Sequence, residues 1–149
     1  MKRFSPQFSV PSVFSVLNSF PLADADVTDN DITHEIIGAA IEVRKRLGPG
    51  LLESAYEVCL AHELRLRNLK VDQQVGVPVV YKETKLECGY RMDLLVEGRI
   101  VVELESIESL APIHEAIILT YLRLSGHKIG LLIHFNVAIL KDGVRRFIV

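Results

Sequence analysis

The run VVELESIE, residues 101–108, places Glu103 and Glu105 two positions apart in an otherwise apolar segment. Side chains alternate across a strand, so these carboxylates share one face, about 6–7 Å apart. Two full negative charges at ~7 Å, in an effective dielectric near ~20, repel by about 2 kcal/mol. A face open to water tolerates that repulsion, and a bound cation exploits it. Upstream, YRMDLLV carries Asp93 in a segment that otherwise favours a strand, where an aspartate has a local cost. Three oxygen donors of this kind suit Mg2+ or Mn2+. Such an ion polarises a phosphate and lowers the pKa of a water for in-line attack. The competing reading leaves the two glutamates solvated and pairs Asp93 locally, with Arg91.

Register decides whether the three acids meet. Leu86, Cys88, Tyr90, Met92, Leu94 and Val96 alternate, and Glu97-Gly98 turns the chain into a further strand over 100–107. If the loop around Gly98 holds an odd number of residues, odd positions face odd positions and Asp93 meets Glu103. An even loop separates them. A three-residue or bulged turn is therefore a condition of the cation site.

The remaining elements follow from periodicity. Ile32, Ile36, Ile37, Ala40, Ile41 and Leu47 recur at helical spacing behind the acidic run Asp29-Asn30-Asp31, which offers caps, and Gly48-Pro49-Gly50 stops the helix. Leu51 to Leu64 supply a second helix. Val71 to Tyr81 alternate as a strand. Pro112 opens a helix that ends at Gly126, Lys128 to Asn136 form a strand, and Asp142-Gly143 turn into a last strand over 144–149. The order is α-α-β-β-β-α-β-β, an α/β domain.

The chain of 149 residues, 49% hydrophobic, suits one domain with one core. A formal charge of −2 gives no global footprint for nucleic acid, so any such partner must be held by local basic patches or bound cations. Cys59 and Cys88 form neither a CxxC pair nor a Cys/His cluster, which suits reduced thiols in a cytoplasmic protein. No apolar run approaches the ~18 residues of a membrane span. Residues 1–28, rich in Ser, Pro and Phe, differ from the rest. Their apolar stretch is broken by Pro11, Ser12, Ser15, Asn18 and Ser19, so they are expected to be a flexible extension rather than a signal peptide, with the domain over 29–149. Oligomeric state is left open at this level.

The run LGPGLLESAY, with Gly50, Glu53 and Tyr56, resembles the signature of the GxxExxY protein family, whose fold is of the PD-(D/E)xK nuclease type. NDITHEIIGAAIEV, YRMDLLV, VVELES, HEAIILTYLRLSG, GLLIHFNV and LKDGVRRFIV extend the likeness in order from about Asn30 to the end. The resemblance implies a restriction-endonuclease-like fold, a single mixed sheet flanked by helices, and a metal-dependent site for nucleic-acid phosphodiesters. By position, Asp93 and Glu103 become the motif metal ligands and Glu53 the helical acid that assists them. Glu105 stands where relatives carry lysine. Ile117, four residues before Tyr121, stands where relatives commonly carry glutamine.

The first departure reverses a sign. An ammonium beside the scissile phosphate attracts developing negative charge and a carboxylate repels it; pre-organised charge of this kind is worth about 3 kcal/mol, a hundredfold or more in rate. Arg91, Arg123 and Lys128 are candidates for a substitute cation. Three readings follow: an active Mg2+- or Mn2+-dependent nuclease; a degenerate one that binds nucleic acid or protein without cleaving; and a site where Glu105 adds a ligand, tightening metal and slowing chemistry. His114 reads as a helix-start cap, the other histidines as structural, and Tyr56 as a packing residue with its hydroxyl near Glu53.

Overall fold

The first helix is capped by Thr28, not by the acids that follow it. In the computed structural model, which describes residues 27–87 and 89–149, helix α1 spans Asp29–Leu47. The Thr28 side chain accepts from the Asp31 N–H while the Asp31 carboxylate accepts from the Thr28 N–H, a reciprocal capping box. Val27 packs against the core, so the body includes two residues assigned above to the extension. Residues 1–26 and Cys88, and the expectations placed on them, lie outside the described residues.

Helix α2, Glu53–Leu66, follows the Gly48-Pro49-Gly50 turn and packs beside α1. The strands are β1 (Val71–Gly76), β2 (Val79–Tyr81), β3 (Thr84–Leu86), β4 (Arg91–Val96) and β5 (Ile100–Glu105). After helix α3 (Pro112–Ser125) come β6 (Ile129–His134), a 3-10 turn over Leu140–Gly143 and β7 (Val144–Ile148). Five strands form one mixed sheet in the order β1-β4-β5-β6-β7, antiparallel throughout except for the β5–β6 pair, whose crossover is α3. The long alternating runs 71–81 and 86–96 are each broken. Their inner ends join the main sheet and their outer ends pair separately as the hairpin β2–β3.

Layering explains the burial of β5. Ile36, Ala40, Tyr56, Leu60 and Leu64 of α1 and α2 close over Leu94, Val102, Leu104 and Leu131, while Leu122 of α3 joins Leu95 and Val101 in a second cluster. A strand covered on both faces reads as a continuous apolar run, as β5 and β6 do. Gly130 permits the α3 side: a Cβ there would lie 2.9 Å from Ile118 Cδ1 and 3.1 Å from Leu122 Cδ1. Arg44 fastens α1 to the chain beyond β6, donating to the carbonyls of Phe135 at 2.9 Å and Val137 at 2.5 Å.

Candidate active site

The β4–β5 turn meets the register condition. Its three residues, Glu97, Gly98 and Arg99, separate a pairing of Val96 with Ile100, Leu95 with Val101 and Leu94 with Val102. Glu97 and Gly98 both adopt left-handed backbone, at φ 54° and 62°; the glutamate is fixed there by its carboxylate accepting the Lys70 N–H at 2.7 Å. One step further along this register Asp93 stands opposite Glu103.

The two acids interlock there. The Asp93 N–H donates to Glu103 Oε1 at 3.0 Å, and the Leu104 N–H donates to Asp93 Oδ2 at 2.8 Å. Gln74 Nε2 donates to Asp93 Oδ1 at 3.3 Å. Arg91 does not pair with Asp93; its guanidinium donates to the Gln74 carbonyl. Glu103 is 8% exposed, which excludes a solvated glutamate face.

Glu53 arrives from the other layer. It opens α2, where the helix dipole favours an acid, and accepts the Ser106 N–H at 3.4 Å, while Ser106 Oγ donates to the Leu51 carbonyl at 2.5 Å. Glu53 stands beside Glu105, and its proximity adds to burial in raising the Glu105 carboxyl. Tyr56 is fully buried as expected, but its hydroxyl is not with Glu53. It donates to the Gly48 carbonyl at 2.6 Å and accepts the Leu51 N–H at 3.2 Å, while its ring stacks on Phe135 at 4.2 Å. Gly50, at φ 91°, completes the turn. The GLLESAY segment thus holds the Gly48–Leu51 turn and delivers Glu53 to the end of β5.

Crowding of acids shows in their protonation. Burial first, then the Asp93 charge, pushes Glu103 up to about 9. Burial first, then the neighbouring Glu53 carboxyl, raises Glu105 to about 7. Burial also raises Asp93, opposed by the Leu104 N–H. Among the described residues none of the three carboxylates forms an ion pair with a lysine or arginine. Of the candidate substitutes, Arg91 is held by Gln74, Arg123 bonds Thr120 Oγ1, and Lys128 lies exposed at the β6 start, its carbonyl accepting from Val149.

Sequence reasoning missed Glu57, Gln74 and Tyr121 as members of this neighbourhood. Glu57 accepts from Gln73 and Gln74, and its charge raises Asp93; its place one helical turn after Glu53 was a usable signal. Tyr121 packs beside Leu95 and Val101, and the charges of Glu103 and Asp93 add to burial in raising its hydroxyl. Gln74 could not be foreseen, because it depends on β1 lying beside β4. His114 caps α3 as expected, its Nδ1 accepting the Ala111 N–H at 2.9 Å. Ile117, half-buried, brings no hydrogen-bonding group to this face of α3. A groove of about 500 Å3 between α1 and α2, with Val43, Leu47, Val58 and Cys59 in its wall, contains none of these acids.

Among the described residues no three His, Cys, Asp or Glu side chains converge closely enough to hold a metal ion as placed. The donor set nevertheless fits a hard dication. Asp93 and Glu103 are adjacent carboxylates, each with one oxygen committed to a backbone N–H, and Mg2+ is commonly held by only one or two carboxylates with water completing its shell.

A mixed five-stranded sheet between helices, with paired acids on its central hairpin, defines a restriction-endonuclease-like fold. The chain belongs to the PD-(D/E)XK nuclease superfamily, whose family model matches residues 30–147. No curated protein and no solved structure gave a match. Members of this superfamily generally depend on divalent metal. No helix among the described residues is long and apolar enough to cross a membrane.

Proposed function

We propose that this chain is a PD-(D/E)XK nuclease-like protein of the GxxExxY type whose phosphodiester-hydrolysing site is impaired. Asp93 and Glu103 would hold Mg2+ or Mn2+, with Glu53 in support, and nucleic acid is the partner. A bound dication supplies charge to polarise a phosphate and acidify a water. The chain's own part is to present oxygens: the Leu104 N–H orients Asp93, the Asp93 N–H orients Glu103, and Ser106 orients Glu53.

The observation that carries the impairment is the Glu105–Glu53 contact. Where the superfamily motif has a cation, this site has an acid, Glu105, set beside a second acid, Glu53, with burial and that neighbour both raising its carboxyl. A neutral carboxyl does not supply the positive charge that stabilises a phosphoryl transition state. The same contact favours, as the second reading, a module that binds nucleic acid or a protein without cleaving it. Two cysteines with neither a CxxC pair nor a Cys/His cluster suggest a cytoplasmic setting.

Cleavage of plasmid and single-stranded DNA in Mg2+ or Mn2+ tests the proposal. The unmodified chain is expected to cleave weakly or not at all. Glu105→Lys, alone and with Ile117→Gln, should raise the rate by about a hundredfold or more, and adding Asp93→Ala should abolish the gain. Robust cleavage by the unmodified chain, lost in Asp93→Ala, would overturn the impairment. Failure of manganese to bind in calorimetry would sink the metal site.

A further inference from the structure

Between β1 and β4 the chain leaves the main sheet for residues 77–90, and the excursion is not needed to build the core. The strands β2 and β3 pair with each other, and the Val77 N–H to Tyr90 carbonyl bond, 2.8 Å, closes the base. No other element makes an extensive contact with this hairpin. Among its exposed charged residues Lys82, Glu83, Lys85 and Glu87 stand large apolar and aromatic side chains. Val80 is 58% exposed, Tyr81 65% and Tyr90 53%, a cost in apolar surface that a purely structural hairpin avoids.

The turn adds a second observation. Tyr81 pairs with Thr84 across Lys82-Glu83, a two-residue loop, and Lys82 adopts φ 53°. Glycine is the usual residue at such a position, and a non-glycine residue there costs about 1 kcal/mol. The strained lysine sets its ammonium 5.4 Å from the centre of the Tyr81 ring. Lys85 lies on β3, and at the base Tyr90 precedes Arg91, two residues from Asp93. Glu83 and Glu87 dilute the positive charge, so the arm carries aromatic faces with local cations rather than a broad basic surface. A duplex backbone is met by the latter; unpaired bases stack on the former, with nearby cations meeting the phosphates.

We propose that the 77–90 hairpin is a single-strand nucleic-acid arm, on which Tyr81 and Tyr90 stack unpaired bases and Lys82 and Lys85 hold the backbone, leading the strand to Asp93 and Glu103. It rests on the nuclease-like reading above and narrows its substrate to single-stranded or frayed nucleic acid. Tyr90 lies three residues before Asp93 on the chain that enters β4, which ties the base of the arm to the site.

The test is fluorescence anisotropy of the full chain, in EDTA so that no cleavage intervenes, with a labelled oligo-dT and with a labelled duplex of equal length. The expected results are preference for the single strand, and a loss of about 5- to 150-fold in its affinity for Tyr81→Ala and for Tyr90→Ala, the range of one lost base stack. Lys82→Glu should lower affinity and flatten its dependence on salt by about one phosphate contact, while Lys45→Glu, on α1, changes neither. Duplex preference, or single-strand affinity indifferent to both tyrosine variants, overturns the arm. Manganese binding by a chain that fails to hold either oligonucleotide overturns the arm alone; loss of manganese binding as well removes the underlying reading.

Discussion

Glu103 and Glu105 stand on one strand face, yet they resolve their repulsion with different partners. Glu103 accepts from the Asp93 N–H and Glu105 stands beside Glu53, and burial together with these acidic neighbours raises both carboxyls. The sign of the pH effect follows. Glu103 rises from 4.5 to about 9 on folding, so the folded chain binds its proton more tightly than the unfolded one. That contribution to stability is complete below about pH 4.5 and is lost as pH climbs towards 9. Thermal melts should therefore show Tm falling from about pH 5 to about pH 9, and Glu103→Gln should flatten the fall, with a Tm at alkaline pH higher by several degrees. A pH-independent difference between the two proteins would refute the assignment. A dication should oppose the same loss by replacing the protons. Manganese should raise Tm at pH 8 in the unmodified chain and leave Asp93→Asn unmoved, and its binding should release protons, measurable as a dependence of the calorimetric heat on buffer.

At the scale of elements, the site depends on a turn of three residues. Deleting Arg99 would shorten it to two, move β5 by one position and send Glu103 to the opposite face from Asp93. Such a variant, if folded by circular dichroism, is expected to lose manganese binding entirely; retained affinity would mean that the hairpin does not define the site. The GxxExxY segment gives a milder test. Tyr56→Phe keeps the stack on Phe135 and removes the hydroxyl that ties Gly48 to Leu51. A cost of about 1–3 kcal/mol in urea unfolding is expected, since the Leu51 N–H and Gly48 carbonyl lose a partner. A metal affinity reduced along with stability would show that the turn also positions Glu53.

Across the whole molecule, two helical layers and one sheet converge their charged ends on a single place, though net charge is only −2. Glu53 comes from one layer, Tyr121 from the other, Asp93 and Glu103 from between them. Gly130 sets how closely the second layer approaches. Gly130→Val should cost about 1–3 kcal/mol by overpacking against Ile118 and Leu122, and tilt α3 enough to alter Tyr121, readable as a changed hydroxyl titration in ultraviolet absorbance.

Sequence alone determined the helices over 29–47, 53–66 and 112–125, because their apolar spacing, Pro112 and the glycines at 48 and 126 are local signals that tertiary contacts had no reason to override. For Asp93 and Glu103 it set only a condition, an odd loop around Gly98, and the three-residue turn of the structure met it. The tertiary structure alone broke the runs 71–81 and 86–96, since whether an alternating segment joins the main sheet or pairs outside it depends on which neighbours cover it. It alone decided the partner of Glu105. Two acids at positions 103 and 105 are visible in a string of residues, but the approach of Glu53 to Glu105 exists only because an α2 side chain from fifty-two positions earlier reaches the end of β5.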